Sequence, residues 1–154
     1  MNTPQQIAKQ LRQVHFGGNW TAVNLQDTLA DVSWKEATTV VDGFNSIATL
    51  VYHINYYVDV LIPVFEGKPL VAKDEYSFNH PPINNQNDWE TFLKERYNKA
   101  EKLATLIEKL PETELKAPFT DRKYGSYYRN LHGLIQHTHY HLGQIVFLKK
   151  MLRN

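Results

Sequence analysis

Cysteine is absent from the 154 residues, which removes disulfides, thiolate metal ligands and cysteine nucleophiles together. An excess of either charge is also missing: 17 basic residues face 16 acidic ones, and neither forms a long run. A protein that binds nucleic acid by neutralising phosphates needs such an excess, so no nucleic-acid partner is expected. The basic last turn, Lys149, Lys150 and Arg153, suits a helix C-terminus, where cations are favoured anyway. Long apolar runs are lacking too. The N-terminus MNTPQQIAKQLRQ has no signal core, and no uninterrupted apolar stretch is long enough to span a bilayer. The expectation is a cytoplasmic protein with no membrane partner, forming one domain over residues 1–154. Aromatic side chains, by contrast, are plentiful at 12% of the chain, nine of them tyrosines. Such a content suits a core or cleft lined with rings that carry polar tips.

Helical spacing accounts for most of the rest. Thr3-Pro4 with Gln6 reads as a capping box opening a first helix, which turns Ile7, Leu11 and Val14 inward and stops at Gly17-Gly18. A short helical turn is expected around Leu25 to Asp31. Ser33 to Glu36 reads as a second capping box, starting a long helix to about Phe65. That helix carries one stripe through Val40, Phe44, Ile47, Val51, Ile54, Val58, Leu61 and Phe65. A second stripe runs nearly opposite, through Leu50, His53, Tyr57, Val60 and Val64. A helix apolar on two faces is buried on two sides, and closed two-fold dimers are the commonest homo-oligomers; a homodimer is the resulting expectation. Gly67 and Pro69 end the helix, and residues 67–87 form a long proline- and asparagine-rich loop of the kind often given to function. Asn87 or Asp88 is expected to cap a third helix, Trp89 to Leu110, and Ser126 a last one reaching Leu152. No strand pattern and no internal repeat is present. The fold class is all-α, an antiparallel four-helix bundle with the long loop between its second and third helices.

The stretch HTHYHLGQI, residues 137–145, carries the chemistry. On a helix His137 and His141 lie about 40° apart, while His139 points about 160° away from both, toward solvent or a partner surface. Two imidazoles at i and i+4 can share one divalent ion at about 2.0–2.1 Å each. The spacing alone also suits two boundary histidines satisfied by hydrogen bonds. A zinc protease would need glutamate directly after the first histidine; Thr138 stands there. His53, on the long second helix, can be either a satisfied core residue or a third ligand brought opposite the pair. Three neutral imidazoles plus water make an open, catalytic type of metal site. Zinc, nickel, iron and manganese all accept such ligands. His15, His80 and His132 read as structural or exposed.

The run His137 to Ile145, with LVYHINYY around His53, GGNWT and YGSYYRN, resembles the DinB-like (damage-inducible, YfiT-like) superfamily over nearly the whole chain. It is most similar to the DUF1572-type members. The resemblance implies a four-helix bundle, often dimeric, holding one divalent metal through a triad that maps onto His53, His137 and His141. Zinc and nickel lead the candidates, with iron and manganese behind them. Relatives include thiol-dependent transferases and an isomerase that use small thiol cofactors. The implied function is a divalent-metal protein that activates a small thiol toward a small-molecule substrate; Tyr56, Tyr57 and Gln144 are this chain's own candidates for supporting or substrate contacts. The alternative is a non-enzymatic bundle with a structural ion or none, acting as a binding module.

Overall fold

The computed structural model describes all residues, Met1–Asn154. Six α-helices form: α1 (Thr3–Phe16), α2 (Leu25–Leu29), α3 (Trp34–Thr38), α4 (Ile47–Phe65), α5 (Gln86–Glu108) and α6 (Tyr127–Arg153). There is no strand, so the all-α expectation holds. The four long helices pack as a closed ring, α1 on α5, α5 on α4, α4 on α6 and α6 on α1. Within the ring sits one apolar cluster of 31 buried residues. Each fully buried leucine or isoleucine there contributes about 1.5–3 kcal/mol relative to exposure.

Helix directions follow from which residues meet. Arg12 pairs with Glu101 and Glu108, while Thr3 bonds Glu112 beyond the end of α5, so α1 and α5 run antiparallel. His53 meets His137 and Phe65 meets Tyr127, so α4 and α6 are antiparallel as well. The antiparallel expectation fails for α4 and α5. Tyr52 lies by Phe92, Asp59 by Arg96 and Lys99, and Glu66 by Lys102. These two helices therefore run parallel. A parallel pair needs a connection that returns along the bundle, which is why the segment after Gly67 is long.

The expected helix from Ser33 to Phe65 is two helices. The Ser33–Glu36 capping box does form and opens α3, but the backbone leaves the helix at Thr39 and turns at Asp42 and Gly43, both at positive φ. The run Thr38-Thr39-Val40-Val41 is poor in helix propensity, and Asp-Gly is a turn pair. Ser46, accepting from the Thr49 N–H, then caps α4. Val40 and Phe44, assigned to the inner stripe by the unbroken reading, are instead exposed. Two other starts move slightly. Asn2, a stronger cap than threonine, makes the box with Gln5 and leaves Thr3 free for Glu112. Asn85 caps α5 ahead of the expected Asn87 or Asp88, and α5 ends at Glu108. Ser126 caps α6 as expected.

α4 requires a further correction. By length and composition it is apolar enough to cross a bilayer, with most of it buried inside the protein. The reason is its position: α5 and α6 flank it and α3 and the crossover cover much of the remainder. Leu50 and Val64, expected on a second, dimer-facing stripe, are buried within the chain.

His15 is a core residue. Its Nδ1–H donates to the Leu11 carbonyl at 2.8 Å, and Nε2 is buried without a partner. Burial pushes its pKa down to about 4, with the nearby His139 adding to the effect. The unfolded chain binds this proton near pH 6.5, so His15 lowers stability as pH falls below about 6.5, until its folded value near 4 is passed. By pH 5 the loss is about 2 kcal/mol. Urea unfolding at pH 7 and pH 5 should show His15→Leu losing less stability than the wild type. Equal losses in the two proteins would contradict this role.

Candidate metal centre

The site is built where α4 and α6 cross. His53 is buried, whereas His137 and His141 are half-buried on the edge of α6. Their ligand-type nitrogens all lie within 4.8 Å of one another. The His53 and His137 Nε2 atoms are 3.0 Å apart, and the three ring centroids are separated by 4.8, 4.8 and 4.5 Å. Two nitrogens at 2.0–2.1 Å from one zinc can be at most about 4 Å apart. One pair is thus within bridging range, and the widest separation needs closure by about an ångström.

Hydrogen bonds orient two of the rings. The Ser77 hydroxyl donates to the Asp74 carbonyl at 2.6 Å, so its oxygen accepts the Nδ1–H of His53 at 2.8 Å. The Gln144 Oε1 accepts the Nδ1–H of His141 at 2.7 Å. Both bonds leave an Nε2 lone pair free for the cluster, the arrangement a metal ligand needs. His137 is the exception, because its Nδ1 is buried without a partner. With the His53 Nε2 unprotonated, the 3.0 Å contact is the His137 Nε2–H donating to it.

Electrostatics favour the neutral form of His137 and His53. Burial, then the neighbouring His141 and His53, lower His137 to about 4, against an opposing effect of Asp74. His53 is lowered by the same burial and by His141, again with Asp74 opposing. Neutral imidazole is the ligating form. Three imidazole donors, with no carboxylate or cysteine joining the group, fit a divalent ion with an open position.

The crossover supplies what the histidine spacing could not reveal. Its 3₁₀ turn, Asp74–Phe78, packs on α4. Besides Ser77, it lays the Phe78 ring flat on His53, 4.1 Å between centroids and 13° between planes. Asp74 accepts the Tyr57 hydroxyl. The long loop was legible as a candidate for function, but Ser77 and Phe78 carried no motif. Tyr57 does reach the cluster, edge-on to His53 and His137; burial and Asp74 push its pKa up to about 12. Tyr56 does not. Its hydroxyl donates to the Lys73 carbonyl and accepts from the Lys73 N–H, fastening the crossover to α4. His139 lies on another face of α6, as its spacing requires, but half-buried and close enough to His15 to depress its pKa. His80 and His132 lie outside the cluster.

A family model described as the DinB superfamily matches residues 8–145, spanning every element that builds the site. The chain belongs to the DinB superfamily. The match identifies the superfamily and not the DUF1572-type subgroup. No curated protein and no solved structure matches the chain. Membership of the DinB superfamily and the three-histidine cluster are together compatible with binding of a divalent metal.

Proposed function

We propose that this DinB-superfamily protein binds one divalent ion, zinc or nickel before iron or manganese, through His53, His137 and His141, and uses it to transfer a small thiol. The observation that carries the reading is the open side of the cluster. Three imidazoles converge with no fourth protein ligand, and His137 also lines a cavity of about 470 Å³. A structural ion would instead call for a closed shell, which argues against the purely structural alternative.

Bound there, the ion would supply a lowered pKa for a thiol or water that it ligates. The chain's own residues do the rest. Ser77 and Gln144 hold two imidazoles in the ligating tautomer, Phe78 and Tyr57 cover His53, and the cavity beside His137 admits the second reactant. In the transfer, the thiol proton leaves to water and the sulfur bonds an electrophilic carbon. The leaving group departs with its electron pair. Zinc-loaded wild type should accelerate conjugation of a small thiol to monochlorobimane, and zinc-treated His141→Ala should not. Equal rates would end the transferase reading, while calorimetry would still report metal binding separately.

The homodimer belongs to the same proposal, on a different surface from the one its spacing suggested. Phe44, Tyr140 and Phe147 are 58%, 66% and 65% exposed and line one apolar groove with Met151. Exposed apolar patches of this kind mark interaction surfaces. Light scattering over a dilution series should give twice the 18.0 kDa chain mass. A mass near 18.0 kDa at every concentration up to about 100 μM rules the dimer out.

A further inference from the structure

The 470 Å³ cavity beside His137 has chemistry of its own. Its walls are apolar, with Val60 and Leu61 from α4, Leu70 from the crossover and Phe119 from the segment before α6. No acidic residue lines it. Its floor is a stretch of α6 in which Asn130, Gly133 and His137 follow one another along one side of the helix, with Arg129 beside Asn130. Arg129 and His137 are eight positions apart, about 12 Å of helix rise.

Arg129 is unlike the other arginines that the fold uses. Arg12, Arg96 and Arg153 each hold two carboxylates. Arg129 has none: it donates one hydrogen bond, from Nη1 to the Tyr124 carbonyl at 3.0 Å. The remaining N–H groups of its fork have no protein partner. Arg122 also lacks a carboxylate, but it does not line the cavity. A guanidinium fork recognises planar anionic oxygens in pairs.

Gly133 is the second observation. A Cβ there would meet nothing within 4 Å, so the fold does not require glycine for packing, and in a helix interior glycine costs about 1 kcal/mol relative to alanine. Its missing side chain keeps the cavity floor open between the histidine end and the arginine end. Gly143, also in α6 and also with open space around it, lines the separate groove beside Phe44.

We propose that this cavity takes an elongated amphiphile with one anionic oxygen head, a carboxylate or phosphate. The head pairs with the free N–H groups of Arg129, since the Asn130 amide N–H groups already hold the Tyr124 and Ser126 carbonyls, and the apolar body lies over Gly133 toward the histidine cluster. This rests on the reading of the histidine site as the reactive end, and it names the class of molecule delivered there. The uncharged end of the amphiphile would be the reacting one.

Calorimetric titration of the full chain with decanoate, decyl phosphate and decanol tests it, with and without zinc. One of the two anions should bind at least about tenfold more tightly than decanol, the scale of a charge-assisted hydrogen bond. The tighter anion identifies the head group. Arg129→Gln should lose that advantage, and Gly133→Leu should abolish binding, while zinc affinity stays unchanged in both. Gly143→Leu should bind the anion as wild type does. His137→Ala should lose zinc affinity and keep anion binding in the zinc-free protein, so failure of the metal site and failure of the anion site are read separately. Circular dichroism melting confirms that each variant is folded. Decanol binding as tightly as both anions would overturn the proposal. So would Arg129→Gln binding unchanged, or loss of binding in Gly143→Leu but not in Gly133→Leu.

Discussion

Alanine at His53, His137 or His141 should weaken zinc or nickel binding at least about a hundredfold, whereas alanine at His139 should leave it unchanged. The magnitude follows from the observation that losing a group that merely orients a ligand costs about 10–100-fold, and these three would be the ligands themselves. The contrast follows from geometry. His139 is on the same helix as His137 and His141 and two residues from each, yet it lies on the face toward His15, and it is absent from the cluster. Isothermal titration of untagged protein decides the matter, since a histidine tag would supply competing imidazoles. His139→Ala proving as damaging as His141→Ala would remove the triad from consideration. Ser77→Ala belongs in the same series as a milder case, because it strips the acceptor from the His53 Nδ1–H and should cost about tenfold.

Asp59→Ala should destabilise the bundle by about 3 kcal/mol. Arg96 is only 6% exposed and stacks its guanidinium over Phe92 and Tyr52, 5.0 and 5.6 Å from their ring centres. Its inward charge is answered by Asp59 at 2.9 Å, which also holds Lys99 at 2.8 Å. Removing the carboxylate leaves Arg96 with only the Glu95 contact at 3.3 Å, and a buried charge that loses its partner costs far more than the pair contributes. For a chain of this size the melting temperature should fall by about 6–12 °C. The double variant Asp59→Ala/Arg96→Met should recover most of the loss, because no charge is then stranded. A single Asp59→Ala variant melting within about 2 °C of wild type would show that Arg96 finds solvent or another acceptor.

These two cases mark what the sequence makes legible. The triad is readable because a helix converts spacing into direction: His137 and His141 must share an edge, and His139 must not. The inward turn of Ile7, Leu11 and Val14 in α1 follows for the same reason, and Ser126 and the Ser33–Glu36 box announce their helices through hydrogen-bond chemistry confined to four residues. What lies beyond that range was not legible. The break at Asp42-Gly43 competes with an apolar stripe that runs smoothly across it, and local turn chemistry prevails over periodicity there. The parallel course of α4 and α5 depends on which helices pair, which no local pattern encodes. Ser77 and Phe78 sit 24 and 25 positions beyond His53 in a segment without periodicity, so their contact with it is purely tertiary.

The parallel pair and its returning crossover have a consequence for how the protein is made. The contacts that close the bundle join residues far apart along the chain: Arg12 to Glu101 and Glu108 spans 89 and 96 positions, and His53 to His137 spans 84. Such separations raise the contact order above that of a helical protein closed by local contacts alone, and higher contact order slows folding. Hairpins of neighbouring helices, the quick local route, are unavailable to α4 and α5. Two of the three imidazoles also lie in α6, made long after α4. Of the three, a nascent chain therefore carries only His53 until α6 is made, and the cluster can assemble only as α6 closes on α4.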